Sequence, residues 1–263
     1  MDVSGSGANR NAMRCSHEGK ASIVTGAAGG LGREVGLAIA RAGGEVFLVD
    51  RNPEGLAQTQ ALIGEAGGRA HVHVADLSDP DACRRVVEAG RAAMGGIDSL
   101  CNVAGVIFFA HATEMSAEQW HKTLAINLSA PFFLCQAAIP HLIERKGAIV
   151  NVASSAAFVG QAYVAAYAAS KAGLAHLTRS LAMEYVRAPI RINAVAPGGM
   201  ATPMGATVSM PEGIDMTLVE RFSGMRGFVE VPDVADMICY LASDAAQGFH
   251  GSVINMDAGI TAG

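Results

Sequence analysis

The feature that most constrains the fold of this chain is a β-like run, Lys20-Ala21-Ser22-Ile23-Val24, that leads through Thr25-Gly26-Ala27-Ala28-Gly29-Gly30-Leu31-Gly32 into the helical pattern of Val35, Leu37, Ala38 and Ile39. Glycines permit the tight turn and let the backbone come close to a pyrophosphate. That group then rests on the free N–H groups and positive dipole end of the helix. The spacing of Gly26, Gly30 and Gly32 is Gly-x3-Gly-x-Gly, not Gly-x-Gly-x-x-Gly, and no Lys-Ser/Thr follows to make a nucleoside-triphosphate loop. Strand, glycine turn and helix in this order predict a dinucleotide cradle.

The same alternation continues along the chain. Strand-like runs near 20–25, 45–50, 70–74, 97–101, 147–153, 190–196 and 251–256 are separated by helical patterns. This predicts an α/β fold, a single-domain Rossmann-type doubly wound parallel sheet of about seven strands with helices on both faces. Ligands of such sheets bind beyond the carboxyl ends of the strands. The chemistry-bearing residues gather at those ends: Gly26 after the first run, Asp50 ending the second, Asp76 after the third, Asn102 after the fourth, Ser154 after the fifth and Pro197 after the sixth.

Beyond the fifth run, Tyr167 and Lys171 lie four apart in Tyr167-Ala168-Ala169-Ser170-Lys171 and share one helix face. A phenol has a reference pKa of about 10, and a cation fixed beside it favours the phenolate and brings that value toward working pH. The pair is therefore suited to moving a proton on and off an alcohol oxygen.

Taken together, these residues resemble the short-chain dehydrogenase/reductase family, from about Lys20 to Asp257. The family's Thr-Gly-x3-Gly-x-Gly is met by Thr25 to Gly32 and its Tyr-x3-Lys by Tyr167 and Lys171. Its catalytic serine, 13 residues before the tyrosine, is met by Ser154, with Ser155 one residue out of register. Its Asn-Asn-Ala-Gly appears as Asn102-Val103-Ala104-Gly105, its helix asparagine as Asn127, and its Pro-Gly-x3-Thr as Pro197-Gly198-Gly199-Met200-Ala201-Thr202. Val103 in place of the second asparagine, and Asp257-Ala258-Gly259 in place of Asp-Gly-Gly, are departures that bear on local packing.

The resemblance implies reversible hydride transfer between a nicotinamide and a carbinol carbon. Tyr167 is then the general acid/base, Ser154 orients the substrate oxygen, and Lys171 lowers the Tyr167 pKa and holds the nicotinamide ribose. Asn127 anchors a water that links Lys171 to solvent. Gly26, Gly30, Leu31 and Gly32 cradle the pyrophosphate, Asn102, Ala104 and Gly105 border the dinucleotide, and Pro197, Gly198, Met200 and Thr202 hold the carboxamide end. Asp50, about 20 residues past the glycine turn, accepts from the ribose 2′-hydroxyl of NAD and repels the 2′-phosphate of NADP. Arg51 beside it is the residue that could pair with that phosphate. Asp76 and Leu77 resemble the adenine contact, although Asp76, Ser78 and Asp79 also suit a helix cap before Pro80. The expected cofactor is NAD.

The segment from about 198 to 228 breaks the alternation and carries Met200, Met204, Met210, Met216 and Met225; the family places its substrate lid here. Val106, Ile107, Phe108, Ala156, Phe158, Val164, Met200 and Met204 form an expected apolar wall, which favours a neutral secondary alcohol or ketone. An NADP-dependent 3-oxoacyl thioester reductase and a non-catalytic dinucleotide-sensing scaffold are the alternatives. Of 263 residues, 51% are apolar and the formal charge is −5, which suits a large core and argues against nucleic acid as a partner. Five cysteines, Cys15, Cys83, Cys101, Cys135 and Cys239, have no Cys-x-x-Cys spacing and read as reduced thiols of a cytoplasmic protein. His71 and His73 share a strand face with no third ligand at metal spacing, so no metal is expected. No stretch reads as a membrane span. Residues 1–18 read as a mobile leader before a catalytic domain over 19–263. The small-residue stretch Ala165 to Met183 could meet a second subunit, giving a dimer or tetramer.

Overall fold

Seven strands form where the apolar runs predict them: β1 (Ala21–Thr25), β2 (Glu45–Asp50), β3 (Arg69–Val74), β4 (Ser99–Asn102), β5 (Ala148–Val152), β6 (Arg191–Pro197) and β7 (Val253–Met256). The structure is a computed structural model, and it describes residues 15–202, 209–222, 224 and 226–262. All neighbouring strands pair in parallel, in the order β3-β2-β1-β4-β5-β6-β7. The order reverses direction between β1 and β4, which opens a crevice at the carboxyl ends of those two strands.

Helices α1 (Gly30–Arg41), α2 (Pro53–Glu65), α3 (Pro80–Met94), α4 (Ala117–Leu124), α5 (Ala130–Glu144), α6 (Ala165–Glu184), α7 (Met216–Glu220) and α8 (Val231–Ala242) fill the intervals. Local chemistry sets several of their starts. Asn52 and Asp79 accept from the backbone N–H of Gly55 and Asp81, each with proline in the first turn, and Ser116 forms a capping box with Gln119. The cap before α3 is thus Asp79, and the Asp76 carboxylate is instead held by the backbone N–H and hydroxyl of Ser78.

Because side chains alternate across a strand, the sheet has an apolar layer on each face. Val24, Val46, Leu48, Val150 and Val195 pack under α1, α2 and α8, whereas Ile23, Phe47, Val49, Leu100 and Ile149 pack under α3, α5 and α6. Contrary to the sequence expectation, Ala117–Glu144 is long and apolar enough to cross a membrane by length and composition. It comprises α4, one π-helical turn and α5, and its buried side chains, Leu134, Cys135, Ala138 and Leu142, belong to the second core layer.

Residues 1–14 of the expected leader lie outside the described residues. His17, in the remainder of it, is buried, and its backbone N–H donates to Ala42 O at 2.8 Å. His71 and His73 sit on the face of β3 next to Phe47; His71 Nε2 is 2.9 Å from a Glu45 carboxylate oxygen, and the His73 ring lies 5.5 Å from that of Phe47. In the Asp257-Ala258-Gly259 departure, Ala258 adopts a left-handed φ of 53°, which for alanine costs about 1 kcal/mol. The Asp257 carboxylate secures the turn by accepting from the N–H groups of Gly259 and Thr261.

Candidate active site

At Gly26 and Gly32 the glycine turn is shaped by contacts that tolerate no side chain. Gly26 has a φ of +71°, and a Cβ there would lie 2.9 Å from Ala104 Cα. On Gly32, a Cβ would overlap the carbonyl oxygen of Gly26. The turn is latched to the segment after β4 by Thr25, whose Oγ1 accepts from Val103 N and Ala104 N at 3.0 and 3.1 Å. Val103 thereby keeps the backbone contact of its motif while its side chain joins the core.

The carboxyl ends of the strands enclose a cavity of about 260 Å³ lined by Gly26, Gly30, Leu31, Gly32, Asp50, Ala104, Gly105, Ser154, Tyr167, Lys171, Pro197, Gly198, Met200 and Thr202. A second cavity of about 100 Å³ shares Gly26, Asp50, Ala104 and Gly105 with it and adds Arg51, Asp76 and Leu77. Elongated, two-chambered space over a glycine turn that abuts a helix N-terminus fits a dinucleotide. Most residues expected from the sequence are therefore brought together; Gly29, Val103, Ala153 and Lys122 line the same space and were not anticipated.

Asn102 lies apart from the other expected residues. Its side chain turns into the core and donates to Asn151 Oδ1 at 2.8 Å, and it lines neither chamber. Asn127 is also removed from the cavity. It is fully buried in the π-helical turn Ala125–Ser129, where Oδ1 accepts from Val106 N and Nδ2 donates to Val106 O and Ser170 Oγ. It ties the loop after β4 to α6 at Ser170, one residue before Lys171. In the expected apolar wall, Val164 and Ala156 are buried in the core, whereas Val106, Ile107 and Phe108 line an outer cavity of about 630 Å³ together with Arg51, Lys122 and Met210. Met204 and Met225 lie outside the described residues.

Tyr163 was missed altogether. It has a left-handed φ of 64°, a strained state for a bulky residue, its carbonyl accepts from Ala110 N, and its hydroxyl accepts from Asp215 N. It joins the loop after β4 to the segment before α7. No sequence signal marks such a residue, because its conformation is imposed by these three segments.

Among the groups expected to react, Ser154 Oγ accepts from Ala156 N at 3.2 Å, which leaves its own proton to donate. Lys171 Nζ donates to Val152 O at 2.7 Å and lies 5.7 Å from the centre of the Tyr167 ring. The electrostatics differ from the sequence expectation. Burial pushes the Tyr167 phenol above its usual range, and hydrogen bonding with Ser154 opposes this only in part. Burial also lowers Lys171 from 10.5 to about 8. Desolvation thus outweighs the attraction of the ammonium for a phenolate, because each charge alone is costly in this enclosed space.

A depression of that size corresponds to about 3 kcal/mol of unfavourable charge burial. The change Lys171→Met should therefore raise the unfolding free energy at pH 7 by about 2 kcal/mol, after about 1 kcal/mol is lost with the Val152 hydrogen bond. The folded-state pKa lies below the unfolded one, so the unfolded chain carries the extra proton between pH 8 and 10.5. Wild type gains stability relative to the variant as pH rises through that window. Urea denaturation at pH 7 and pH 10 measures both effects; an advantage of the variant that does not shrink with pH would contradict this account.

The model of the family described as short chain dehydrogenase matches residues 20–213. The chain is 37% identical over 249 residues to 3beta-hydroxysteroid dehydrogenase 1 of Eggerthella lenta, covering 93% of this chain and 94% of that one. It is 37% identical to the 3-oxoacyl-[acyl-carrier-protein] reductase FabG of Thermotoga maritima, covering 92% and 98%. Among solved structures, a short chain dehydrogenase from Mycobacterium paratuberculosis bound to NAD superposes with a TM-score of 0.86 at 28% identity, covering 94% and 100%. One from Burkholderia cenocepacia in complex with NADP gives 0.84 at 30%, covering 93% and 98%. With its sheet order, its glycine turn and its Ser154, Tyr167 and Lys171 gathered at one cavity, this chain belongs to the short chain dehydrogenase family, as an oxidoreductase of CH–OH groups that binds a nicotinamide dinucleotide.

Proposed function

We propose that the protein is an NAD-dependent dehydrogenase that interconverts a neutral, apolar secondary alcohol and its ketone. The observation that carries this reading is the Asp50 carboxylate. It ends β2, lines both chambers of the cavity, and is held in place by the N–H groups of Ala28 and Asn52 at 3.2 and 3.1 Å. A fixed negative charge at that point accepts from a ribose hydroxyl and repels a phosphate. Arg51 is exposed and lines the second chamber and the outer cavity, but not the first.

The bound dinucleotide supplies the hydride acceptor or donor. Gly26, Gly30, Leu31 and Gly32 would hold its pyrophosphate, Asp50 a ribose, Asp76 and Leu77 the adenine, and Pro197, Gly198, Met200 and Thr202 its carboxamide end. Tyr167 Oη takes the alcohol proton in oxidation and returns it in reduction, and the Ser154 hydroxyl donates to the same substrate oxygen. Lys171 stays cationic below about pH 8 and favours the phenolate form of Tyr167, the form that accepts the proton in oxidation and is left when the proton is given up in reduction. Ile107, Phe108, half-exposed Phe158 and Met200 supply apolar surface for the substrate. The likeness to a hydroxysteroid dehydrogenase supports a bulky cyclic alcohol. The reading extends to a cytoplasmic homo-oligomer, in which the exposed Ala165, Ala169 and Ala172 of α6 would be covered.

A second reading, reduction of a 3-oxoacyl thioester with NADP, is favoured by the equal likeness to the acyl-carrier-protein reductase and by Arg51 and Lys122 at the outer cavity. Both are tested by measuring turnover with NAD and NADP in parallel, against aliphatic, cyclic, aromatic and steroid alcohols and against a 3-oxoacyl thioester. The expected result is turnover of a secondary alcohol with NAD. In Asp50→Ser, loss of one charge-assisted hydrogen bond should lower kcat/KM for NAD about tenfold and raise that for NADP. Preference of the wild type for NADP would overturn the assignment of Asp50.

A further inference from the structure

At the amino ends of the strands, on the side of the sheet edge opposite the cavity, three soft donors meet. Cys15 and His17 precede β1, and Cys239 lies on α8, 224 residues beyond Cys15. The two sulfurs are 3.5 Å apart, and the donor atoms of all three side chains lie within 4.8 Å of one another. His17 and Cys239 are buried, at 1% and 2% exposure, and Cys15 is half-buried. We propose that Cys15, His17 and Cys239 form a binding site for a thiophilic divalent cation, zinc, which fastens the segment ahead of β1 to α8.

Four features carry the assignment. Tetrahedral zinc with Zn–S bonds of about 2.3 Å separates two thiolate sulfurs by about 3.8 Å. The observed 3.5 Å needs only a slight opening, whereas a disulfide would require the sulfurs to close to about 2.05 Å and would leave His17 without a role. The His17 ring has an acceptor of the kind that orients metal-bound imidazoles: its Nε2 lies 3.0 Å from the carbonyl oxygen of Cys239, and a ring that donates there keeps a lone pair on its other nitrogen. Charge fits as well. Each thiol loses its proton to solvent as its Zn–S bond forms, so two thiolates and a neutral imidazole cancel the charge of the ion. A neutral group is what the surrounding apolar layer accepts, since Cys239 belongs to that layer and Cys15 packs against it. The backbone is also firm here, with His17 N donating to Ala42 O and Lys20 N to His17 O. The half-exposed side of Cys15 gives the ion a path in and leaves a fourth position for water. The site is remote from Tyr167 and takes no part in proton transfer; its role is to hold the fold.

The test uses the full-length chain kept under a phosphine reductant and titrated with zinc against a chromophoric competing chelator, with cobalt(II) as a spectroscopic substitute. One zinc per chain and a thiolate-to-cobalt charge-transfer band in the near ultraviolet are expected. Cys15→Ser and His17→Gln should each weaken zinc binding about tenfold or more. Cys83→Ala, at a buried cysteine elsewhere, should leave it unchanged. Because Cys15 is half-buried, its variant keeps the test informative even where Cys239→Ser does not fold. No zinc uptake by the reduced wild type, uptake unaffected by Cys15→Ser, or a Cys15–Cys239 disulfide formed in air by a chain that takes up no zinc when reduced would each overturn the proposal.

Discussion

Replacing Tyr167 by Phe should lower kcat by about 10³-fold while dinucleotide affinity changes by no more than about threefold, because general acid/base catalysis supplies about 10²–10⁴-fold and the variant loses a single oxygen. Phe preserves the ring that packs over Lys171 and removes only the atom proposed to move the proton. The raised phenol pKa adds a sign. In the unliganded protein the group is held protonated through neutral pH, so it is poised to donate in reduction. Oxidation requires the deprotonated form, and wild-type kcat/KM for the alcohol should rise with pH on the alkaline side, a limb that Tyr167→Phe should lack. Steady-state kinetics in both directions, with fluorescence titration of the reduced cofactor, separate these effects. Near-normal turnover in the variant would sink the role given to Tyr167.

The second large effect is expected at Gly32. Alanine is favoured over glycine in a helix by about 1 kcal/mol, so propensity alone predicts that Gly32→Ala stabilises α1. Sterics oppose this, because the new Cβ would overlap the carbonyl oxygen of Gly26, and that turn is fixed in place by Thr25. Overpacking of this kind costs about 1–3 kcal/mol, and backbone, unlike a side-chain tip, has no rotamer by which to move away. With the backbone overlap at the upper end of that range, about 3 kcal/mol, and the helix-propensity gain of about 1 kcal/mol subtracted, the variant should be destabilised by about 2 kcal/mol in net, and its dinucleotide affinity should fall about 100-fold as the turn and helix start separate. Gly29→Ala is the contrast. Gly29 is extended at φ −176° and a Cβ there meets nothing within 4 Å, so its stability should stay within about 0.5 kcal/mol of wild type. Denaturant midpoints and cofactor titration on both variants decide the matter; equal stability of the two would show that the turn yields more readily than its contacts imply.

The parallel sheet was legible because apolar runs and turn residues are local signals, and the seven strands fall within about two residues of the expected runs. Thr25 to Gly32, Asp50, Ser154, Tyr167 and Lys171 were legible for a related reason: a parallel sheet delivers every strand's carboxyl end to the same edge, so residues far apart in the chain must meet there. Side-chain direction at that edge was not. Asn102 ends β4 as expected, yet it turns inward to Asn151, and Val164 fills the core instead of a substrate wall. Asn127 is buried behind the cavity, on a π-helical turn that no periodicity announces.

Sequence alone determined the elements, their order and the set of chemical groups at the carboxyl ends, since these follow from spacing within a few residues. Tertiary structure decided the rest. The pKa values of Tyr167 and Lys171 depend on how much water each loses, which raises one and lowers the other against the simple expectation from their spacing. The left-handed Tyr163 is set by three segments that converge on it. The meeting of Cys15 and His17 with Cys239 likewise arises because the segment before β1 and the helix α8 are packed together at the far edge of one sheet, and burial and long-range contact are properties of the folded whole.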